Sequence, residues 1–253
     1  MGEVYKNFKN VENKYRPIPF WSWNERLRVE ETIRQIEDME EAGIGGYFMH
    51  SRGGLQTPYM GEEWHENIRA AIDLGNEKGM RPWVYDEDGW PSGFVGGKLL
   101  ETEKFRARFL EYTITTYFDA TAFCVYKKTS AGYQRIEGAE KGVEEYYCVY
   151  LRVSPSNTDI LNPEVVEAFI QETHEQYYQR FHESFGRELV GFFTDEPQYY
   201  RWATPYPVKV FEKFKEKYNE DVRDGLIYLF MHDEAGYAFR TRYFTTLNEM
   251  YVD

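Results

Sequence analysis

Short apolar runs alternate with segments of helical period along most of the chain, and this alternation limits the fold more than any other feature. The apolar runs cover residues 17–23, 44–49, 81–85 and 189–193. After the first run, Val29, Ile33 and Ile36 recur at helical spacing, and Gly43 follows this segment where a helix commonly ends. The alternation predicts βαβ units with a parallel sheet.

The pattern changes in the middle of the chain. Residues 112–118, 122–127 and 145–153 have the composition of β-strands joined by glycine-containing turns. We therefore predict an antiparallel β insertion over residues 111–156. Asn162 and Pro163 then supply an N-cap and a first-turn proline for one long helix that ends at Gly186. Two further helices are expected at about 208–218 and from about 233 onwards.

The number of βα units leaves the architecture open. About four units occupy the 253 residues, whereas a closed (β/α)8 TIM barrel needs eight. We predict an α/β fold of TIM-barrel type, with residues 1–253 forming a single, partial barrel domain. The chain could be the N-terminal half of a longer protein, could pair with another copy, or could form a short open sheet.

Charge and cysteine content exclude several functional classes. The net charge of −13 and a pI near 5.0 disfavour binding to nucleic acid or to an anionic membrane surface. No apolar run approaches the ~18 residues of a membrane-spanning helix. The N-terminus lacks the apolar stretch of a secretory signal, and only Cys124 and Cys148 could form a disulfide. These features predict a cytoplasmic protein.

Aromatic residues make up 18% of the chain, which is unusually high. Aromatic rings bury large areas, so an ordinary core is one explanation. A carbohydrate-binding cleft, in which rings stack on sugars, is the other. Composition alone leaves both open.

Polar and aromatic side chains follow each predicted strand. In parallel α/β folds, functional residues gather just beyond the C-terminal ends of the strands. The four ends here are Trp21-Ser22-Trp23-Asn24, His50-Ser51-Arg52-Gly53-Gly54, Asp86-Glu87-Asp88 and Asp195-Glu196-Pro197. If the sheet is parallel, these residues converge on one edge.

Glu196 is the best candidate for a proton donor. Glycoside hydrolysis requires paired carboxylates, one of which protonates the leaving oxygen. Pro197 restricts the backbone of Glu196, and an aromatic-lined cleft would raise the pKa of its carboxyl group as a general acid requires. In the alternative interpretation, Asp195 and Glu196 cap a helix or face solvent.

The acidic run Asp86-Glu87-Asp88 has several candidate roles. It could supply the second carboxylate, bind sugar hydroxyls or coordinate a hard cation such as calcium. Adjacent acids in a loop are also commonly solvated. We predict Asp86 and Asp88 as catalytic residues and no resident metal site.

Other side chains at the strand ends could hold a substrate. His50 and Arg52 could bind hydroxyls or a carboxylate, and Trp21, Trp23 and Trp90 could stack on a sugar ring. Each could equally be a structural residue. No phosphate-binding loop, GxGxxG motif, cysteine metal pair or HExxH motif is present.

The strand-end motifs together resemble the catalytic barrel of α-L-rhamnosidase-like glycoside hydrolases, as in glycoside hydrolase family 106. The matching stretches are 19–24, 43–55, Tyr85-Asp86-Glu87-Asp88-Gly89-Trp90-Pro91-Ser92-Gly93 and Phe193-Thr194-Asp195-Glu196-Pro197. The resemblance implies a (β/α)8 barrel, cleavage of a glycosidic bond and, in rhamnosidase members, calcium near the substrate.

The last motif is also similar to the Asn-Glu-Pro pattern of many barrel glycosidases. By that likeness Glu196 is the acid/base catalyst, and Asp195 stands in place of the asparagine. Such enzymes carry the partner carboxylate on a later strand, and this chain ends at Asp253 before any such strand.

We therefore predict part of a glycoside hydrolase catalytic domain, active in carbohydrate metabolism on α-L-rhamnosides or other oligo- or polysaccharides. A non-catalytic carbohydrate-binding remnant of such an enzyme is the alternative. No cofactor is required by this prediction, and calcium is the one candidate ion. The expected partner chain is a second copy, or a missing C-terminal half, that completes the barrel. Substrate contacts are expected from Trp21, Trp23, Asn24, His50, Arg52, Glu87, Trp90 and Asp195.

Overall fold

A computed structural model describes residues 11–199, 203–231, 233–234 and 236–252. The chain divides into two compact units. Unit 1 comprises Met1–Lys98 and Ala168–Pro197, and unit 2 comprises Leu99–Glu167 and Gln198–Asp253.

Strands and helices alternate in the first part of the chain, and a run of four strands, β4–β7 (residues 106–158), follows. The strands are β1 (Phe20–Trp23), β2 (Gly46–Ser51), β3 (Arg81–Asp88), β4 (Arg106–Thr115), β5 (Cys124–Thr129), β6 (Gly132–Ile136), β7 (Tyr146–Thr158), β8 (Phe192–Phe193) and β9 (Thr204–Pro205). The α-helices are α1 (Val29–Glu41), α2 (Glu62–Glu77), α3 (Pro163–Glu172), α4 (His174–Phe181), α5 (Val210–Tyr218) and α6 (Tyr237–Val252). Short 310 helices cover Asn13–Tyr15, Val95–Glu101, Glu103–Phe105, His182–Ser184, Val222–Asp224 and Leu226–Leu229.

Unit 1 contains a four-stranded parallel sheet in the order β1-β2-β3-β8. Helix α1 connects β1 to β2, and α2 connects β2 to β3. The predicted parallel βαβ arrangement is confirmed. Within the described ranges this sheet is open, so the closed eight-stranded barrel stays a prediction.

One face of this sheet is buried against helices. Tyr47, Met49 and Val84 are fully buried and share a core with Ile68 of α2. The hydroxyl of Tyr47 donates a hydrogen bond to the Ala71 carbonyl oxygen at 2.6 Å, which satisfies the one polar atom of a buried ring. Burial of each large apolar side chain contributes roughly 1.5–3 kcal/mol, so this face holds the helices in place.

Two boundaries in unit 1 differ from the sequence prediction. Strand β3 continues to Asp88, so the acidic run lies at the end of the strand rather than in the following loop.

The predicted long helix is divided at Thr173, where the backbone is not helical (φ −124°, ψ −79°). The Thr173 hydroxyl donates to the Phe169 carbonyl oxygen at 2.6 Å, a local bond that competes with regular helix geometry. The N-cap prediction at Asn162 holds, because its side-chain oxygen accepts a hydrogen bond from the Glu164 amide at 3.2 Å.

Unit 2 contains a five-stranded sheet in the order β6-β5-β7-β4-β9, with every pairing antiparallel. The predicted antiparallel strands are therefore present, but they extend from Arg106 to Thr158. The sequence prediction missed β6, although Gly132 marks its hairpin with a φ of +124°. Phe214 of α5 and Leu247 of α6 are fully buried in the core of this unit.

The two cysteines belong to different hydrophobic clusters of unit 2. Cys124 packs with Tyr126 and Phe214, and Cys148 packs with Val125 and Ile136. Both thiols are free and buried, and burial raises the pKa of Cys124 above its usual value. The disulfide that composition allowed is therefore not formed.

No helix in the described ranges is long and apolar enough to span a membrane.

His65 of α2 makes unit 1 acid-sensitive. Its side chain is 5% exposed, lies near the rings of Tyr177 and Phe181, and has no hydrogen-bond partner for either ring nitrogen among the described residues. Burial lowers the pKa of His65 to about 4. The unfolded chain takes up a proton near pH 6.5 and the folded chain only near pH 4, so stability is lost as the pH falls through this window.

We expect His65→Phe to remove this acid sensitivity. In urea unfolding at about pH 7 and about pH 4.5, the loss of unfolding free energy should be about 2 kcal/mol smaller in His65→Phe than in the wild type. Ile68→Val provides the control, since it shortens a buried side chain of the same helix without removing a titratable group and should leave the pH dependence unchanged. Equal pH dependence in His65→Phe and the wild type would contradict the assignment.

Candidate functional site

The ends of the four parallel strands of unit 1 lie along one edge of the sheet. Trp23 pairs with Ser51 between β1 and β2, and Ser51 pairs with Asp88 between β2 and β3. Tyr85 pairs with Phe193 between β3 and β8. The segments that follow these strands therefore start from a common edge, as parallel pairing requires.

Asp86 is fully buried at this edge and is held by hydroxyl groups. Ser92 Oγ donates to its Oδ1 at 2.6 Å, and Thr194 Oγ1 donates to its Oδ2 at 2.5 Å. The Nε2 atom of His174 lies 3.6 Å from the same Oδ2. Burial raises the pKa of Asp86 and lowers that of His174. The pair can share a proton, but protein donors already occupy both carboxylate oxygens.

Glu87 is fully buried and organises the loop after β3. Its two carboxylate oxygens accept five backbone N–H bonds at 2.8–3.0 Å, from Asp88, Gly93, Phe94, Val95 and Gly96. Burial raises the pKa of Glu87, whereas the amide donors oppose this by favouring the charged form. The loop curls around the carboxylate because Gly93, Val95 and Gly96 all have positive φ. Glu87 therefore stabilises the loop and does not present its oxygens to a ligand.

Asp88 is the most accessible member of the acidic run. It is half-buried, and its Oδ1 accepts a hydrogen bond from Ser51 Oγ. This contact ties the ends of β2 and β3 together. Asp88 therefore combines a fixed position with access to solvent.

His50 and Asp195 are connected through Tyr85. The imidazole of His50 is 3% exposed and stacks on the Tyr85 ring with 3.6 Å between centroids. The Tyr85 hydroxyl donates to Asp195 Oδ2 at 2.8 Å. Backbone and side-chain bonds between Asp195 and Ser92, at 2.9 and 3.0 Å, link this group to the one around Asp86. Burial lowers the pKa of His50, which favours the neutral form of its ring.

The three candidate tryptophans occupy different places. Trp23 is 3% exposed and packs edge-on against Trp64 in the core. Trp21 is half-buried, and its indole nitrogen donates to Gln35 Oε1 at 2.7 Å. Both rings thus face the helices. Trp90, half-buried in the loop after β3, is the one located beyond a strand end.

Three of the candidate polar residues are exposed beyond the strand ends. Asn24 and Arg52 follow β1 and β2, and Glu196 comes three residues after β8. Glu196 has a φ of +45°, in the left-handed region that residues other than glycine rarely adopt. The carboxylate of Glu196 is therefore set at the edge by an unusual backbone conformation.

Sequence analysis missed several residues that complete this edge. Ser92, His174 and Thr194 surround Asp86, and Tyr85 positions Asp195. Ser92 and Thr194 lie inside the motifs quoted above, so the motifs themselves were a signal. His174 gave no such signal, because the helix break at Thr173 that places it is a tertiary feature.

The residues at this edge do not fit a calcium site. Calcium takes six to eight oxygen ligands. Glu87 already accepts five backbone N–H groups, and the fully buried carboxylate of Asp86 accepts a hydroxyl group on each oxygen. In the described ranges, no group of three or more His, Cys, Asp or Glu residues could hold a metal ion.

Comparisons with known proteins were informative for the fold only. No protein-family model matches the sequence, and no curated protein matches it. The fold is similar to the solved structure of a rhamnosidase from Novosphingobium sp. PP1Y, with a TM-score of 0.61 and 11% sequence identity. The similarity covers 99% of this chain and 45% of the rhamnosidase chain, so this chain spans less than half of that protein's length. The likeness shows that this chain shares the fold of part of the rhamnosidase chain.

We expect Glu87→Gln to destabilise unit 1. Glutamine keeps one acceptor oxygen but turns an NH2 group towards backbone N–H donors, leaving buried donors unsatisfied. The free energy of unfolding should fall by about 2–3 kcal/mol in urea titrations. Glu66→Gln, on the exposed side of α2, is the matched control and should change stability by less than about 0.5 kcal/mol. Equal stability of the two variants would show that the amide cradle does not hold the loop.

Proposed function

We propose that this chain forms part of the catalytic region of a glycoside hydrolase acting on α-L-rhamnosides, with Glu196 as the general acid. The observation that carries the proposal is the position of Glu196. Its exposed carboxylate comes just after β8, at the edge where Asp88, Arg52 and Asn24 follow the neighbouring strands. The fold similarity to a rhamnosidase supports the substrate class.

Backbone strain at Glu196 supports a functional role. A non-glycine residue in the left-handed region costs about 1–2 kcal/mol. Strained residues persist where the surroundings hold them, and they cluster at active sites. A glutamate kept at φ +45° therefore suggests that its side chain is needed there.

Neighbouring residues would bind and orient the sugar. Asn24 and Arg52 would donate hydrogen bonds to hydroxyls, and Trp90 would stack on the ring. Asp195, fixed by Tyr85, would accept a hydrogen bond from the sugar. His50 would support this arrangement through its stack on Tyr85.

Asp88 is the best candidate within this chain for the second carboxylate. Protein donors occupy the oxygens of Asp86 and Glu87, whereas Asp88 is half-buried and bound by Ser51 through one oxygen. In hydrolysis, Glu196 would protonate the departing oxygen while the second carboxylate attacks the anomeric carbon or activates water.

The complete burial of Asp86 and Glu87 also favours a second candidate function. If Asp88 is not catalytic, the edge offers sugar-binding groups without a carboxylate pair. The chain would then bind carbohydrate without cleaving it. Saturable rhamnose binding without turnover would support this alternative.

Unit 1 leaves surface that a parallel sheet normally covers. Strands β1 and β8 each have one neighbour in the described sheet, and Phe20 is 48% exposed beside the ring of Phe193. Parallel sheets are usually buried on both faces, and open edges promote association. We propose that further parallel strands complete the barrel, supplied by a second copy or by a C-terminal half.

The general-acid role is best tested through the leaving group. Glu196→Gln should lower kcat/KM for phenyl α-L-rhamnoside by about 10²- to 10⁴-fold. The loss should be much smaller for 4-nitrophenyl α-L-rhamnoside, because 4-nitrophenoxide departs without protonation. Glu183→Gln, an exposed control, should keep the wild-type rates. Equal losses on both substrates would remove Glu196 from this role, and an inactive wild-type chain that binds rhamnose would favour the binding function.

The association state distinguishes the two ways of completing the sheet. If a second copy covers the edges, light scattering at micromolar concentration should give twice the mass of the 30.2 kDa chain. A Phe20→Glu variant should be monomeric, because a charge would replace an exposed apolar ring. A monomeric wild type would rule out the homodimer.

A further inference from the structure

Unit 2 contains a pocket that is lined by residues of its own antiparallel sheet. It lies beside β4, β7 and β9 and has a volume of about 200 Å³. Its walls include Arg108, Ser154, Asn157, Phe109 and Pro205. The volume is below the usual 300–1,000 Å³ of drug-sized ligand sites, which limits a ligand to about one small ring or acid.

Arg108 is the one charged residue among the described residues that line this pocket. It is half-buried, yet its guanidinium makes no hydrogen bond or ion pair with any residue in the described ranges. Other arginines of the same sheet are satisfied: Arg106 donates to the Leu100 carbonyl oxygen at 2.8 Å, and Arg152 bonds Glu111 at 2.9 Å. A partly buried guanidinium with unsatisfied donors is costly unless a ligand or water binds it.

Asp159 is influenced by the charge of Arg108 but does not form an ion pair with it. Asp159 is 4% exposed, and its Oδ2 accepts the Val208 N–H at 2.9 Å. Burial raises the pKa of Asp159 above its usual value, and the positive charge of Arg108 opposes only part of this rise. No oxygen of Asp159 comes within 4.0 Å of an Arg108 nitrogen, so the guanidinium fork is not engaged.

The polar side chains beside Arg108 are oriented as donors. Ser154 Oγ accepts the backbone N–H groups of Ser156 and Asn157 at 3.3 and 3.1 Å, which leaves its own hydrogen to donate. Asn157 Oδ1 accepts from Ser156 Oγ at 2.8 Å, which leaves the Asn157 amide nitrogen as a donor. Arg108, Ser154 and Asn157 thus present donors, and Phe109 and Pro205 supply apolar walls.

We propose that this pocket binds a small organic carboxylate, held in a bidentate manner by Arg108. The planar guanidinium matches the two oxygens of a carboxylate, and charged hydrogen bonds are about twice as strong as neutral ones. A single arginine in a chain of net charge −13 suits a monovalent carboxylate better than a phosphate dianion. The ligand is either a sugar acid or a simple carboxylic acid. This inference does not depend on the proposed glycosidase function.

Isothermal titration of the full chain with four probes tests the proposal. D-Glucuronate or acetate should bind saturably, and D-glucose and inorganic phosphate should bind at least tenfold more weakly. Tighter binding of glucuronate than of acetate identifies a sugar acid, and equal binding identifies a simple acid. Arg108→Gln should weaken carboxylate binding at least tenfold. Arg152→Gln is the control, because Arg152 is exposed and ion-paired with Glu111, and this variant should bind the carboxylate as the wild type does. No carboxylate binding, unchanged binding by Arg108→Gln, or equal binding of glucose or phosphate would overturn the proposal.

A second measurement uses the wild-type chain alone. Phenylglyoxal modifies accessible arginines, and peptide mapping reports each one separately. The carboxylate that binds in the titration should slow modification of Arg108 at least tenfold and leave that of Arg152 unchanged. Equal modification of Arg108 with and without the carboxylate would overturn the proposal even if Arg108→Gln fails to fold.

Discussion

The carboxylate of Glu87 is the interaction on which the edge of unit 1 depends. Five backbone N–H groups converge on it, so a buried charge replaces its hydration shell with protein donors. The same loop carries Ser92, which contacts both Asp86 and Asp195. Glu87 is too buried to contact a ligand, but it fixes the loop that positions Asp86 and Asp195.

The parallel sheet shows how much of the fold the residue pattern contained. Apolar runs and helix-ending glycines are local signals, and Gly43 does adopt a φ of +80°. The break at Thr173 and the two-residue length of β8 are set by tertiary packing and hydrogen bonding, which no local pattern encodes. The four described strands of the parallel sheet do not close a barrel by themselves, so closure would require further strands.

The residue pattern places the strand ends at one edge of the sheet but does not orient their side chains. Parallel pairing places every strand end at one edge, so the segments around His50, Asp86 and Asp195 could be grouped from sequence. Successive side chains of a strand point to opposite faces, and a register shift lies between Met49 and Ser51. Sequence alone therefore could not show that Trp23 faces the helices.

The left-handed backbone at Glu196 costs stability at the residue that is proposed as the general acid. Glycine or asparagine would relax this turn, and such replacements commonly stabilise natural proteins by about 0.5–2 kcal/mol. Either one would also remove the carboxylate. A search for heat-resistant variants of this chain would thus select against the very residue proposed to act on the substrate, and thermostability screens here need an activity assay beside them.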